Sequence, residues 1–360
     1  MHRRSRAGRR VGVVTGVLIL VASSAAACSS SRPATSGETT TVPNRHVLLV
    51  GIFNGHAGRY KTIQAAVTDS QPGDWILVAP GDYHEGDDHS TTPTNTAAGG
   101  FGGVVISMPK VHLRGMDRNK VVVDGTKAGS SSPCSKDPAD QDLGATGPDG
   151  KALGRNGIVV WKADGVTIDN LTVCNFLNGA GSAGNAIWWN GGAGSGQIGA
   201  TGYSGSYLVA TSTYFADEKT AAQYGIFSSN ISGPATWSQV YASNFNDSGM
   251  YVGACMQQCD VTIDHAWLEY SALGYSGTNS GGQIVVKNSE FDKNKDGFDT
   301  NTQINGDPPA PQDGACPGGG TSAITHTRSC WVFMTIWCMT TTIPTYLRLA
   351  PPALGLWAPA

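Results

Sequence analysis

Three stretches of the chain align without gaps at a spacing of 23 residues: Val240 to Phe245, Ile263 to Leu268, and Val286 to Phe291. Apolar residues coincide at 240, 263 and 286 and again at 245, 268 and 291, and Ile168 to Val173 is an earlier relative. Between the copies lie Gly-rich turns and a second kind of short apolar strand, opened by Gly157, Asn185, Gly225, Gly249, Gly274 and Gly297. A period of this length, built from short strands without helical spacing, specifies a solenoid. One turn cannot bury its apolar side chains alone, so successive turns stack and share a core. A β-sandwich also carries short strands, but it has no reason to repeat them in register. Composition agrees. Gly is 48 of 360 residues and charged residues only 14%, which disfavours solvated helices, while 40% apolar residues exclude wholesale disorder.

The first 27 residues read as a secretory signal. Arg3, Arg4, Arg6, Arg9 and Arg10 precede an apolar run over 11–22, too short to span a bilayer, and small residues follow up to Cys28. A Cys directly after Ala25, Ala26 and Ala27 looks like a lipoprotein box, although Ala25 stands where such boxes usually carry Leu. The expectation is a lipidated Cys28 at the outer face of the membrane, with plain secretion as the alternative, and a flexible tether over 28–46. The membrane is then reached through the N-terminal lipid only. Loss of 1–27 removes five Arg and no acid, taking the formal net charge from −3 to −8. That excludes a nucleic-acid partner, which needs a basic face. The remaining cysteines sit in an oxidising compartment, where disulfides are the default. Cys255 and Cys259 are four apart, Cys316 and Cys330 bracket a loop, Cys134 and Cys174 lie in a loop and a strand, and Cys338 is the odd one. No CxxC or Cys/His cluster suggests that they bind metal.

Tyr60 to Val67, followed by Ile76 to Glu85, resembles the N-terminal start of the right-handed parallel β-helix proteins of the pectin-lyase-like superfamily. The first piece is an amphipathic helix that can plug the open end of the stack. The second is read as the first strand, with Pro80 and Gly81 in the turn, and Val111 to Gly115 and Val121 to Gly125 look like early coils. The resemblance covers roughly residues 47–334 and implies an all-β, single-stranded right-handed parallel β-helix with a short N-terminal capping helix. It implies no one activity, since that fold hosts lyases, hydrolases, epimerases, esterases and non-enzymes. In such folds a ladder of stacked residues occupies one corner. Asn170, His265 and Asn288 fall there, which makes His265 structural rather than catalytic.

Alternation along the Gly-led strands places Ile158, Ile187, Ile226, Met250 and Phe298 inward. The outward partners are Val159 and Trp161, Trp188, Phe227 and Ser229, Tyr251, Ser276, and Asp299 with Asn301. Trp188, Phe227 and Tyr251 form an aromatic stripe suited to stacking on the apolar faces of sugar rings. In the resembling polysaccharide-active proteins this is also the substrate face. The competing reading is that the rings pack beneath covering loops such as 190–224. Candidate substrate-binding residues are therefore Trp188, Phe227, Tyr251 and Asn301.

The chemistry is less specific. The residues from Asp292 to Gly297 match the start of a calcium loop, but Gln303 stands at its twelfth position where Glu is wanted, and the repeat already explains the stretch as a corner. No cofactor is implied, with calcium at Asp292, Asp296 or Asp299 the alternative. Val261 to Ser271 looks like a pectate lyase stretch, yet the Arg-x-Pro-x-x-Arg that would supply a base is absent. The Gly-His-Gly of polygalacturonases and the Gln-Asp-Thr of pectin methylesterases are absent too. Asp296 and Asp299 are the candidate carboxylate pair, with His326 and Arg328 as base or charge stabiliser. Two function classes result. One is a monomeric surface protein acting on polysaccharide or cell-wall glycan as lyase or hydrolase. The other is a non-catalytic glycan-binding or scaffold β-helix.

The stretch from about Thr335 to Ala360 breaks the habits of the chain: it holds no Asp, Glu, Asn or Lys and ends in Ala, Pro and Leu. Read two bases later, the codons for 337–347 permit a polar, Asn-rich sequence of the kind β-helix turns use. The expectation is a shifted reading frame near 335 and an incomplete last part of the stack.

Overall fold

Single residues with left-handed backbone bend this chain where its tightest corners fall. Asn170, Tyr207, Gln239, His265, Asn288 and Thr335 have φ of 60°, 52°, 56°, 57°, 52° and 53°. Each separates a strand on one face from a strand on the next. The computed structural model describes residues 46–86, 101–181, 183–192, 197–256, 259–301 and 314–339.

Three parallel faces result. The first stacks Val47–Val50, Trp75–Val78, His112–Gly115, Val166–Asp169 and Ala200–Ser206, then the leading parts of Ile231–Ser243, Val261–Glu269, Ile284–Asp292 and Trp331–Met339. The second stacks Gly81–Tyr83, Val121–Asp124, Thr172–Cys174 and Val209–Thr211 on the trailing parts of those four long strands. The third stacks Phe101–Ile106, Arg155–Trp161, Asn185–Asn190, Tyr224–Ser229, Ser248–Met256, Leu273–Ser280 and Asp296–Asn301. Every one of these pairings is parallel, and each face receives its next strand one coil later. The chain is a right-handed parallel β-helix.

Inward columns fill the interior. On the third face Val104, Ile158, Ile187, Ile226, Met250, Tyr275 and Phe298 lie in register, and the first six are buried. Gly205 leaves room in the first-face column for two large rings: a Cβ there would lie 3.0 Å from Trp237 and 3.1 Å from Trp189. At the N-terminal end the helix Ile63–Asp69 turns Ile63, Ala66 and Val67 onto the core, as its apolar spacing predicts. The Thr62 hydroxyl accepts a hydrogen bond from the Ala65 N–H. Two further helix N–H groups, of Ile63 and Gln64, donate to the Glu85 carboxylate at 2.6 and 3.1 Å. Burial pushes that carboxyl above its ordinary value despite those bonds.

Four expectations change in detail. Val47–Val50, and not the strand after it, opens the first face. Ile263 stacks on Val286 and Leu268 on Phe291, at the spacing of 23. Val240, however, stacks on Ala266 rather than Ile263, so the preceding coil is three residues longer. Its turn over 244–247 is longer than that over 270–272, and its next strand, Ser248–Met256, is bulged between Gly253 and Met256. Within 190–224, Ala200–Ser206 and Val209–Thr211 are strands of the first and second faces rather than parts of a covering loop. Finally, the strand Trp331–Met339 continues past 335 in register with Ile284–Asp292. Phe333 occupies the inward position over Val286 and is nevertheless 37% exposed, because no further strand of the first face follows it among the described residues. The disulfides are Cys134–Cys174, Cys255–Cys259 and Cys316–Cys330.

The corner at His265 gives a direct test. Its ring is half-exposed and lies 2.7 Å from Asp264, an exposed pair worth about 0–1 kcal/mol. Left-handed backbone costs a non-glycine residue roughly 1–2 kcal/mol. His265→Gly should therefore leave the denaturation midpoint nearly unchanged, whereas the β-branched His265→Val should lose about 1–2 kcal/mol. A valine variant as stable as the parent would show that the corner does not constrain the coil.

Candidate functional site

Strand alternation and coil register together build the outer surface of the third face. Val105, Val159, Trp188, Phe227, Tyr251, Ser276 and Asp299 form one outward column, each directly over the last. Trp161, Asn190, Ser229, Gly253, Thr278 and Asn301 form the parallel one. With coils about 4.8 Å apart, Trp188 and Asp299 stand four steps apart on one line. The sequence-derived stripe is thus a continuous column.

Its exposure is graded. Val159 and Trp161 are buried and, with Val105 and Trp188, form an apolar cluster separate from the main core. Gln64 of the capping helix brackets the Val105 backbone, donating to its O and accepting from its N. Lys162 lies over the Trp161 ring. From Trp188 on the rings are half-buried. Trp188 stacks on Phe227 with centroids 5.1 Å apart and planes 6° from parallel, and Phe227 meets Tyr251 edge-on at 4.8 Å. The Trp188 indole N–H donates to the Ser229 hydroxyl at 2.9 Å, which holds the ring's orientation.

Two members of this surface escape a reading by alternation alone. Tyr224 joins the cluster, 4.7 Å from Phe227 and 5.4 Å from Tyr251, and its hydroxyl donates to Asp247. Burial, then Asp247, pushes that phenol well above its ordinary value. Gly253 is the second. A Cβ there would come within 2.2 Å of the Tyr251 ring, so the ring lies back along its own strand over bare backbone. An aromatic residue followed two places later by Gly is the signal that could have revealed it.

The four candidate catalytic residues do not converge. Asp296 and Asp299 are three apart on one strand, hence on opposite sides of it. Asp296 is exposed and caps the Phe298 N–H, while half-buried Asp299 accepts from the Asn301 amide at 2.8 Å. His326 and Arg328 are exposed in the segment closed by Cys316–Cys330. Among the described residues no hydrogen bond or ion pair joins either to Asp296 or Asp299. The calcium alternative fares similarly: Asp292 faces out from the second face and Asp299 from the third. Asp292 is buried, accepts from the Trp267 indole at 3.1 Å, and lies 3.0 Å from the Lys293 ammonium. Lys293 also binds buried Glu269 at 2.8 Å, and Glu269 accepts from the Tyr241 hydroxyl. In this second-face network the Lys293 ammonium is shared between two buried carboxylates, so Asp292 already lies against a cation. Cys28 lies outside the described residues.

No family model matches the chain, and no curated protein matches it. Among solved structures it is similar to pectate lyase Pel9A (12% identity over 83% of this chain and 78% of that one, TM-score 0.42). It is similar also to pectin methylesterase PemA from Erwinia chrysanthemi (12%, 88% and 98%, 0.33). A third is the A-module of mannuronan C-5 epimerase AlgE6 from Azotobacter vinelandii (14%, 68% and 70%, 0.35). The likeness is one of fold.

The Tyr251–Gly253 contact predicts an uncoupling of ring placement from stability. In Gly253→Ala the clash falls on the far end of a side chain that can swing away. The variant should fold with a loss under about 1 kcal/mol, yet show an altered near-UV circular dichroism band from the displaced tyrosine. An unchanged band would mean that the ring does not rest on Gly253.

Proposed function

We propose that this chain binds a polysaccharide along its third face, with Trp188, Phe227 and Tyr251 as the stacking platform and Asn301 and Asp299 as polar contacts further along. The observation that carries the reading is the unbroken, half-exposed column of three rings on successive coils. Apolar ring faces repeated at a fixed step suit a polymer of sugars, whose C–H faces recur along its length. Binding without turnover is the form favoured here, because Asp296, Asp299, His326 and Arg328 are not gathered around one point. A lyase or hydrolase centred on Asp299 is the second form, supported by a carboxylate on the same line as the rings.

Native gels containing polygalacturonate, alginate or hydroxyethyl cellulose test this. The wild-type chain should be retarded by at least one polymer. Trp188→Ala and Phe227→Ala should each abolish the retardation by weakening binding at least tenfold, a loss of about 1.4 kcal/mol. Asp299→Ala should keep it. Equal mobility of wild type and both ring variants in every gel would overturn the reading. Absorbance near 235 nm or new reducing ends, lost in Asp299→Ala, would decide for the enzymatic form.

The proposal includes a lipid tether at Cys28, resting on the sequence alone. Wild-type chain should then fractionate with membranes, and Cys28→Ser should move to the medium; wild type found wholly in the medium would refute the tether.

A further inference from the structure

The second face carries a cluster that the polysaccharide reading does not use. Asp82 and His84 are alternate residues running off the strand Gly81–Tyr83, so both point outward while Tyr83 between them is buried in the core. Tyr83 pairs with Val123, which brings His84 over Asp124 of the next coil. One ligand atom from each of Asp82, His84 and Asp124 lies within 4.8 Å of the other two. His84 Nε2 stands 3.2 Å from Asp82 Oδ2. Tetrahedral ligands about 2.0–2.2 Å from a zinc ion are separated by roughly this distance.

The surroundings orient these groups. His84 Nδ1 lies 2.8 Å from the Thr126 carbonyl, an acceptor, so Nδ1 carries the hydrogen and Nε2 faces the carboxylates. That is how a ligating imidazole is usually held from behind. Asp124 accepts from the N–H groups of Thr126 at 2.8 Å and Cys134 at 2.6 Å, and the Cys134–Cys174 disulfide fixes that loop against it. The two cysteines are spent in that disulfide and offer no thiolate. Thr126, 1% exposed, sets its side chain against the Asp124 carboxylate and helps to fix it. Asp82 and His84 keep 28% and 17% side-chain exposure, which leaves a path from solvent.

We propose that Asp82, His84 and Asp124 form a binding site for a divalent transition-metal ion of the zinc type. A nitrogen ligand beside two carboxylates suits zinc rather than calcium or magnesium, which take oxygen. Three protein ligands leave a fourth position for water or the Thr126 hydroxyl. A metal ion would sit between His84 Nε2 and Asp82, and any proton held there would leave to solvent. The inference is independent of polysaccharide binding.

Full-length protein freed of metal by chelator is titrated with ZnCl2 in a calorimeter and with CoCl2 while visible absorbance is followed. One ion per chain is expected, with a rise in melting temperature. His84→Gln and Asp82→Asn should each weaken binding by about 10–100-fold or more and remove the thermal shift, while Asp217→Asn, at an exposed loop carboxylate, binds as wild type does. Asp82 lies partly in solvent, so its variant keeps the fold and the test stands even where His84→Gln does not fold. No binding heat, or the same affinity in Asp82→Asn as in wild type, overturns the proposal.

Discussion

The structure depends on turning the chain by one residue. Between the first and second faces the backbone changes direction at a single left-handed position, and it does so on five successive coils from Asn170 to Asn288 and again at Thr335. Only two of these six are Asn, the type that tolerates such backbone best; Tyr, Gln, His and Thr occupy the rest. Local preference therefore does not set the corner. The coils above and below hold it, because a slip by one residue would turn every inward side chain out. The strain of each corner, roughly 1–2 kcal/mol, is offset by the inward columns that the fixed register brings together. Asn170 shows the local help available: its amide donates to the Gly115 carbonyl of the preceding coil at 2.8 Å.

Much of this was legible in the chain itself. Strand alternation assigned the inward and outward columns of the third face residue by residue, since a period of two has no freedom once the strand is known. The repeat was legible only in part. Ile263 and Val286 do lie over one another, but the gapless match to Val240 is a coincidence of apolar spacing: three extra residues enter that coil, at its turns and at a bulge between Gly253 and Met256. Turn length is set by what packs against the turn, and a short sequence window does not carry that. The nearness of Asp296 to Asp299 misled for a simple reason. Three residues along a strand is an odd step, so sequence closeness places them on opposite sides.

The same logic explains why the Asp82–His84–Asp124 cluster is hidden in a linear reading. Asp82 and His84 share a side by alternation, but their partner lies forty residues on, reached only after one coil of the stack is completed. Chemistry on a solenoid is assembled across coils rather than along strands. A column takes one residue from each coil, so its members are separated in sequence by the local coil length, here anything from 23 residues upward.

That arrangement also distributes chemical tasks. The inward columns hold apolar and aromatic side chains, Trp189, Trp237 and Tyr275 among them, while the carboxylate–lysine network and the ring stripe stand outside on separate columns. On the second face the Lys293 ammonium bridges the buried carboxylates of Glu269 and Asp292, which ties the three groups to one another. On the third face the rings of Trp188, Phe227 and Tyr251 pack on one another yet stay partly exposed, and the bare backbone at Gly253 lets Tyr251 lie along the strand. A surface whose packing is complete serves stability, whereas one whose packing stops at half-burial has contact area left to give. By that criterion the third face, rather than the second, has apolar contact area left to give.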